Sequence, residues 1–256
     1  MHLLKSLVVI WLSFSGFANT TFAADWHSLP LVKDGKVAPE WQQAGWGQMV
    51  VEGDAIKTDP SEKGLGLLVY TKEKLGNCQI KIVYKPQDNR DNSGVHIRMD
   101  DGILKWVGKD SIAVQRDAKG KLSPEMRAKM EEASEKEEGA WYAVHHGFEV
   151  QIMDSADQFH RTGSIYSYAP AADLPPAPAS GWRTMIITLD GNLVVVELDG
   201  KEVTRFDSSS KDIPPRKQWA EPKRDYVRPA VGYIGLQTHD PGDTVFFKEV
   251  SVRPLK

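Results

Sequence analysis

The chain is expected to be an all-β protein, a two-sheet antiparallel sandwich, on three observations. Short alternating or apolar segments recur along it: Gly66 to Tyr70, Gln79 to Tyr84, Gly94 to Met99, Phe148 to Met153, Thr184 to Leu189, Leu193 to Leu198, Val231 to Gln237 and Thr244 to Val252. Gly, Pro, Asp and Asn separate these segments. Asp190-Gly191-Asn192 and Asp199-Gly200 are turn signals, and the second folds Leu193 to Val203 into a hairpin. No internal repeat is evident, which argues against a solenoid or propeller.

Two insertions interrupt the strands. Ser123-Pro124 opens a helical pattern, with Ser as N-cap and Pro at the first position, and Gly139 is a plausible end. The expected helix, over about residues 123–138, is rich in Glu, Lys and Arg, so it reads as a solvated surface helix. Its place between two candidate site strands also suits a lid. Ala169 to Gly181 is Pro-rich and reads as an extended loop.

The first 24 residues read as a signal peptide. Lys5 precedes the apolar run Leu7 to Phe17, and Thr21-Phe22-Ala23-Ala24 offers small residues for cleavage. Residues 25–256 then form one domain, exported to the periplasm or beyond, with no transmembrane span after cleavage. The single cysteine, Cys78, excludes an intrachain disulfide and reads as a buried thiol in a strand. A net charge of −3 without a basic stripe argues against a nucleic-acid partner.

Strand alternation selects the candidate site. His96 and Arg98 share a face opposite Val95 and Ile97; Glu149 and Gln151 lie opposite Val150 and Ile152; Gln237 and His239 share a third face. A solvent-facing sheet gives the same pattern. These residue types, however, bind hydroxyls and move protons, whereas an idle face more often shows Lys, Thr and Ser. Asn92-Ser93-Gly94 forms a turn with room for close approach. His160 and Tyr166 follow as sugar-contact candidates. His146, Glu149 and His239 are residue types that suit a divalent metal, but no close-spaced signature such as His-Glu-x-x-His occurs. Glu149-Val150-Gln151-Ile152-Met153-Asp154 resembles the Glu-x-Asp-x-x-Glu strand of laminarinase-type glucanases, with Gln for the central acid and Asp for the last. Retaining hydrolysis needs carboxyls about 5–5.5 Å apart, and Glu149 and Asp154 share a face only across a β-bulge.

An ordered set of blocks resembles the 3-keto-disaccharide hydrolase domain family. The blocks are Asn92 to Arg98, Gly147 to Asp154, Thr162 to Tyr166, Gly181 to Thr184, Leu198 to Gly200, Gly232 to His239 and Phe246 to Val250. The likeness spans about residues 26–254, and the 123–138 insertion is not general to the family. It implies a concanavalin-A-like jelly roll and a small 3-keto-glycoside substrate. A C3 carbonyl acidifies the C2 proton, so cleavage by elimination across C2 and C1, then hydration, fits the residues. Glu149 or His239 is then the base and Arg98 the oxyanion stabiliser, a role that a bound metal could also fill. Asn92, His96, Gln151, Asp154, His160, Tyr166 and Gln237 are the substrate-binding candidates. A lectin-like binding module and a two-carboxylate glycosidase using Glu149 and Asp154 are the alternatives.

Overall fold

The computed structural model describes residues 25–255; the expected signal peptide lies outside the described residues. In chain order the strands are β1 (His27–Ser28), β2 (Val32–Lys33), β3 (Lys36–Val37), β4 (Trp41–Gly45), β5 (Gln48–Glu52), β6 (Ala55–Asp59), β7 (Gly66–Leu75) and β8 (Cys78–Pro86). Then come β9 (Ser93–Met99), β10 (Phe148–Ile152), β11 (Arg183–Asp190), β12 (Leu193–Leu198), β13 (Lys201–Asp207), β14 (Gly232–Thr238) and β15 (Val245–Pro254). Two helices, α1 (Pro124–Glu135) and α2 (Trp141–His146), lie between β9 and β10.

The strands form two stacked antiparallel sheets, as expected, and β2 and β3 pair separately as a two-stranded ribbon. The larger runs β13-β12-β11-β8-β15-β6-β5, with β1 added on β15; the smaller runs β10-β9-β14-β7-β4. Alternation drives their stacking. Ile80, Ile82, Met185, Ile187, Phe247 and Val250 of the larger sheet meet Val95, Ile97, Val150, Ile152, Ile234 and Leu236 of the smaller in one core. Cys78 is buried and free. The β12–β13 turn carries Asp199 at φ 50 and Gly200 at φ 81, the paired positive φ that a two-residue hairpin requires.

A second apolar layer covers the outer face of the smaller sheet. Leu67, Val69, Met99 and Tyr233 meet Trp141, Ala143 and Val144 of α2 and Ala133 of α1. Helix α1 starts as expected, with Ser123 Oγ accepting from the Met126 amide at 3.2 Å, but it stops at Glu135, ahead of Gly139. It is not a freely solvated element. Ala133 and Ser134 are buried, and Ser134 Oγ donates to the Trp219 carbonyl at 3.1 Å. Glu137, at φ 60, accepts from Lys223 Nζ at 2.7 Å and from the Tyr226 hydroxyl at 2.6 Å. The helix is therefore fixed at its C-terminal end, which suits a wall better than a swinging lid. No helix among the described residues is long and apolar enough to cross a membrane.

Candidate active site

The polar faces of β9, β10 and β14 point away from the core, yet they are not wet. His96, Glu149, Gln151 and Gln237 are 1, 8, 2 and 2% exposed. That burial decides against an idle solvent face, because unpaired buried polar groups are costly and persist where they do something. Register brings them together: Glu149 stands opposite His96, and Gln151 opposite Gly94. A Cβ on Gly94 would lie 2.2 Å from Glu149 Oε1, so this glycine leaves the space the carboxyl group occupies.

The electrostatics of the cluster are asymmetric. Burial pushes Glu149 up to about 7, against the pull of the His239 charge and a Gln237 hydrogen bond. Burial pushes His96 down to about 4. Its neutral Nε2 accepts from Gln237 Nε2 at 3.3 Å and lies 3.8 Å from Glu149 Oε2. His239 goes the other way. Burial works against its charge, but the Asp240 and Asp243 carboxylates prevail and raise it to about 10. Those carboxylates stand 3.4 and 3.5 Å from its Nδ1. The result is a carboxyl group that exchanges its proton near neutrality beside a standing imidazolium.

Asn92, Glu149, Gln151, Tyr166, Gln237 and His239 line one cavity of about 50 Å³, roofed by Trp141, Val144, Leu65 and Ala220. Asn92 Oδ1 and Gln237 Oε1 are buried without a hydrogen-bond partner among the described residues. Gln151 Oε1 accepts from the Ile152 amide at 3.0 Å, which leaves its N–H groups for a ligand. Unfilled acceptors and free amide donors together suit a polyhydroxyl compound. Leu65, Trp141, Ala220 and His239 are also walls of a second cavity of about 460 Å³.

The loop after β10 holds Tyr166 in place by pairing along the strand's free edge. Gly163 N donates to Gln151 O at 2.9 Å, Gln151 N to Ser164 O at 3.1 Å, and Tyr166 N to Glu149 O at 2.9 Å. Burial pushes the Tyr166 hydroxyl above its ordinary value, so it stays a donor. His160 sits behind, its ring edge-on to Tyr166 at 5.0 Å and its Nδ1 2.7 Å from Asp157. It does not line the cavity itself.

Three expected members are placed elsewhere. Arg98 leaves the His96 face because two residues of β9 oppose one of β14 between the His96–Gly235 and Met99–Tyr233 pairs. Arg98 itself has φ 55. This bulge reverses the alternation: Arg98 donates to the Gly191 carbonyl of the β11–β12 turn, and Met99 takes the outer face. Asp154 accepts from Thr162 Oγ1 and pairs with Arg183 at 3.0 Å, so it braces the loop and is not a second acid beside Glu149. His146 spends both ring nitrogens on Asp100 and Glu137, at 3.2 and 2.7 Å, which separates it from the suggested metal trio. Among the described residues no group of three or more His, Cys, Asp or Glu is arranged to hold a metal ion.

Sequence reasoning missed Asp240 and Asp243, which sit one and four residues after His239 and set its charge. That spacing was a readable signal. It also missed Trp141 and Ala220, which reach the cavity by tertiary packing and carry no local signature.

The model of the 3-keto-alpha-glucoside-1,2-lyase-like domain matches residues 25–253. No curated protein matches the chain in sequence. Two solved Parabacteroides distasonis structures, each described as a "putative glycosyl hydrolase", superpose on the chain. One is 20% identical with TM-score 0.52, covering 90% of this chain and 100% of that one. The other is 18% identical with TM-score 0.54, covering 87% and 91%. A Bacillus subtilis protein of unknown function with a galectin-like fold superposes at TM-score 0.55 and 12% identity, covering 89% and 94%. These likenesses establish the lectin-like sandwich fold.

Proposed function

Because the chain belongs to the 3-keto-alpha-glucoside-1,2-lyase-like domain family, we propose that it is an exported enzyme that cleaves 3-keto-glycosides by C2 proton abstraction, elimination at C1 and hydration. The observation that supports this most is the buried Glu149 carboxyl group, raised to about 7, among unfilled hydrogen-bonding groups. A base for a carbon acid works best with a pKa near the working pH. His239 suits that role less well, since the Asp240 and Asp243 carboxylates beside it favour its protonated form.

The residue roles follow from this charge pattern. Ionised Glu149 takes the C2 proton, and the C–H electrons pass to the C3 oxygen as an enolate. The Gln151 amide and the Tyr166 hydroxyl donate to that oxygen in place of Arg98. When the enolate collapses, a C1–C2 double bond forms and the C1–O bond breaks. His239 gives its proton to the departing oxygen. Water then adds across the double bond, hydroxyl to C1 and a solvent-derived proton to C2, while Glu149 releases the proton it took and His239 regains one by exchange with water, which restores the starting state. Asn92 and Gln237 hold the remaining hydroxyls. His96 stays neutral and orients Gln237. Asp154 stands apart from this chemistry, and the route needs no close carboxylate pair.

The reading is tested with matched methyl glycosides, oxidised and unoxidised at C3. Cleavage confined to the 3-keto member is expected. Equal cleavage of both would favour an ordinary glycosidase, and reversible binding without conversion of either would make the chain a binding module.

A further inference from the structure

We infer that the 460 Å³ cavity beside His239 is a subsite for a leaving group that carries a carboxylate on a ring. This rests on the proposed reading, which puts the reacting sugar edge at Glu149 and the departing portion across the shared wall. The cavity falls within the roughly 300–1,000 Å³ of small-ligand sites. Much of its wall comes from the connection between β9 and β10: the turn closed through the Arg116–Leu122 bridge, Arg127 and Met130 of α1, and Trp141 of α2.

Its lining selects the ligand chemistry. Trp141 and Trp219 lie 5.5 Å apart at 58° and give an angled aromatic surface for a sugar or aryl ring. Arg116, Lys121, Arg127 and His239 line it with one carboxylate, that of Asp240, and Asp243 offsets His239 from outside the lining, which leaves the cationic groups in excess. Asp240 is already engaged by Arg116 at 2.5 Å and by His239. Lys121 and Arg127 are exposed on the cavity wall. Arg116 has a buried Nε–H with no acceptor among the described residues. Surplus positive charge, one guanidinium N–H without an acceptor and an aromatic surface together fit a ring acid.

Calorimetry on the intact protein with unoxidised glycosides reads this site without turnover. One pair is 4-carboxyphenyl glucoside against its carboxamide; the other is a glucosyl glucuronic acid against the neutral glucosyl glucose. The acid of at least one pair should bind about fivefold tighter or more, and the pair that responds tells an aryl from a sugar acid. Lys121→Ala with Arg127→Ala should bring the ratio near one, and Lys121→Glu with Arg127→Glu should invert it. Both positions are exposed, so the fold is not at stake. Equal affinity within both pairs, no binding of either acid at millimolar concentrations, or an unchanged ratio in the double variants would overturn the inference. Failure to cleave any 3-keto-glycoside would instead sink the proposed reaction, an outcome that this binding ratio does not depend on.

Discussion

Glu149→Gln is expected to lower kcat/KM on a 3-keto-glycoside by about 10²–10⁴-fold, the usual contribution of a positioned general base. Affinity for an unreactive sugar analogue should change far less, because the lost charge acts on the transition state. In the parent protein, kcat/KM should rise as pH passes about 7 and Glu149 ionises. It should fall again toward about 10 as His239 loses its proton. Stability moves the opposite way. The folded state holds the Glu149 proton more tightly than the unfolded chain, so this carboxyl contributes a loss of stability as pH rises from its ordinary value of 4.5 to about 7. The carboxamide does not titrate. Glu149→Gln should therefore melt no lower than the parent at pH 8, which separates a catalytic role from a structural one. Melting curves and initial rates across pH check both halves.

Arg183→Ala should damage the fold severely. The side chain is buried and meets Asp199 and Asp154, each at 3.0 Å, while its other nitrogen donates to the Pro175 carbonyl at 2.7 Å. Removing it strands two carboxylates, and breaking a buried pair costs about 3–5 kcal/mol. For a domain of this size that corresponds to a Tm fall of roughly 10 °C. Because Asp154 and Thr162 brace the loop that carries Tyr166, activity should fall at temperatures where the variant is still folded. Calorimetric melting against the parent measures the first effect, and kcat at low temperature measures the second.

These two residues show what was readable in the sequence and what was not. Glu149, Gln151 and Gln237 were found by period-two alternation, since regular strands keep it and β10 and β14 are regular where those residues sit; His239 continues the alternation one residue past the end of β14. Arg98 was misplaced because a bulge adds one residue to β9, and a one-residue shift moves a side chain to the opposite face. Asp154 looked like a glucanase acid by spacing, but Arg183, 29 residues on, claims it across the fold. Strands β4 to β6 escaped notice because each has only five residues and polar groups interrupt them. Helix α2, with six residues, is too short to show a helical period, and it exists because Trp141 and Val144 cover the outer face of the smaller sheet.

The central claim is that cleavage starts with loss of the C2 proton to Glu149. The most direct measurement is the reaction of a 3-keto-glycoside in heavy water, with product examined at C2 by NMR. It must be stopped early and compared with an enzyme-free control, because 3-keto-sugars exchange this proton slowly on their own. The account predicts enzyme-dependent deuterium at C2 of the released sugar, lost together with turnover in Glu149→Gln. Released sugar without enzyme-dependent label at C2 would mean that the bond at C1 is displaced directly, and would contradict it.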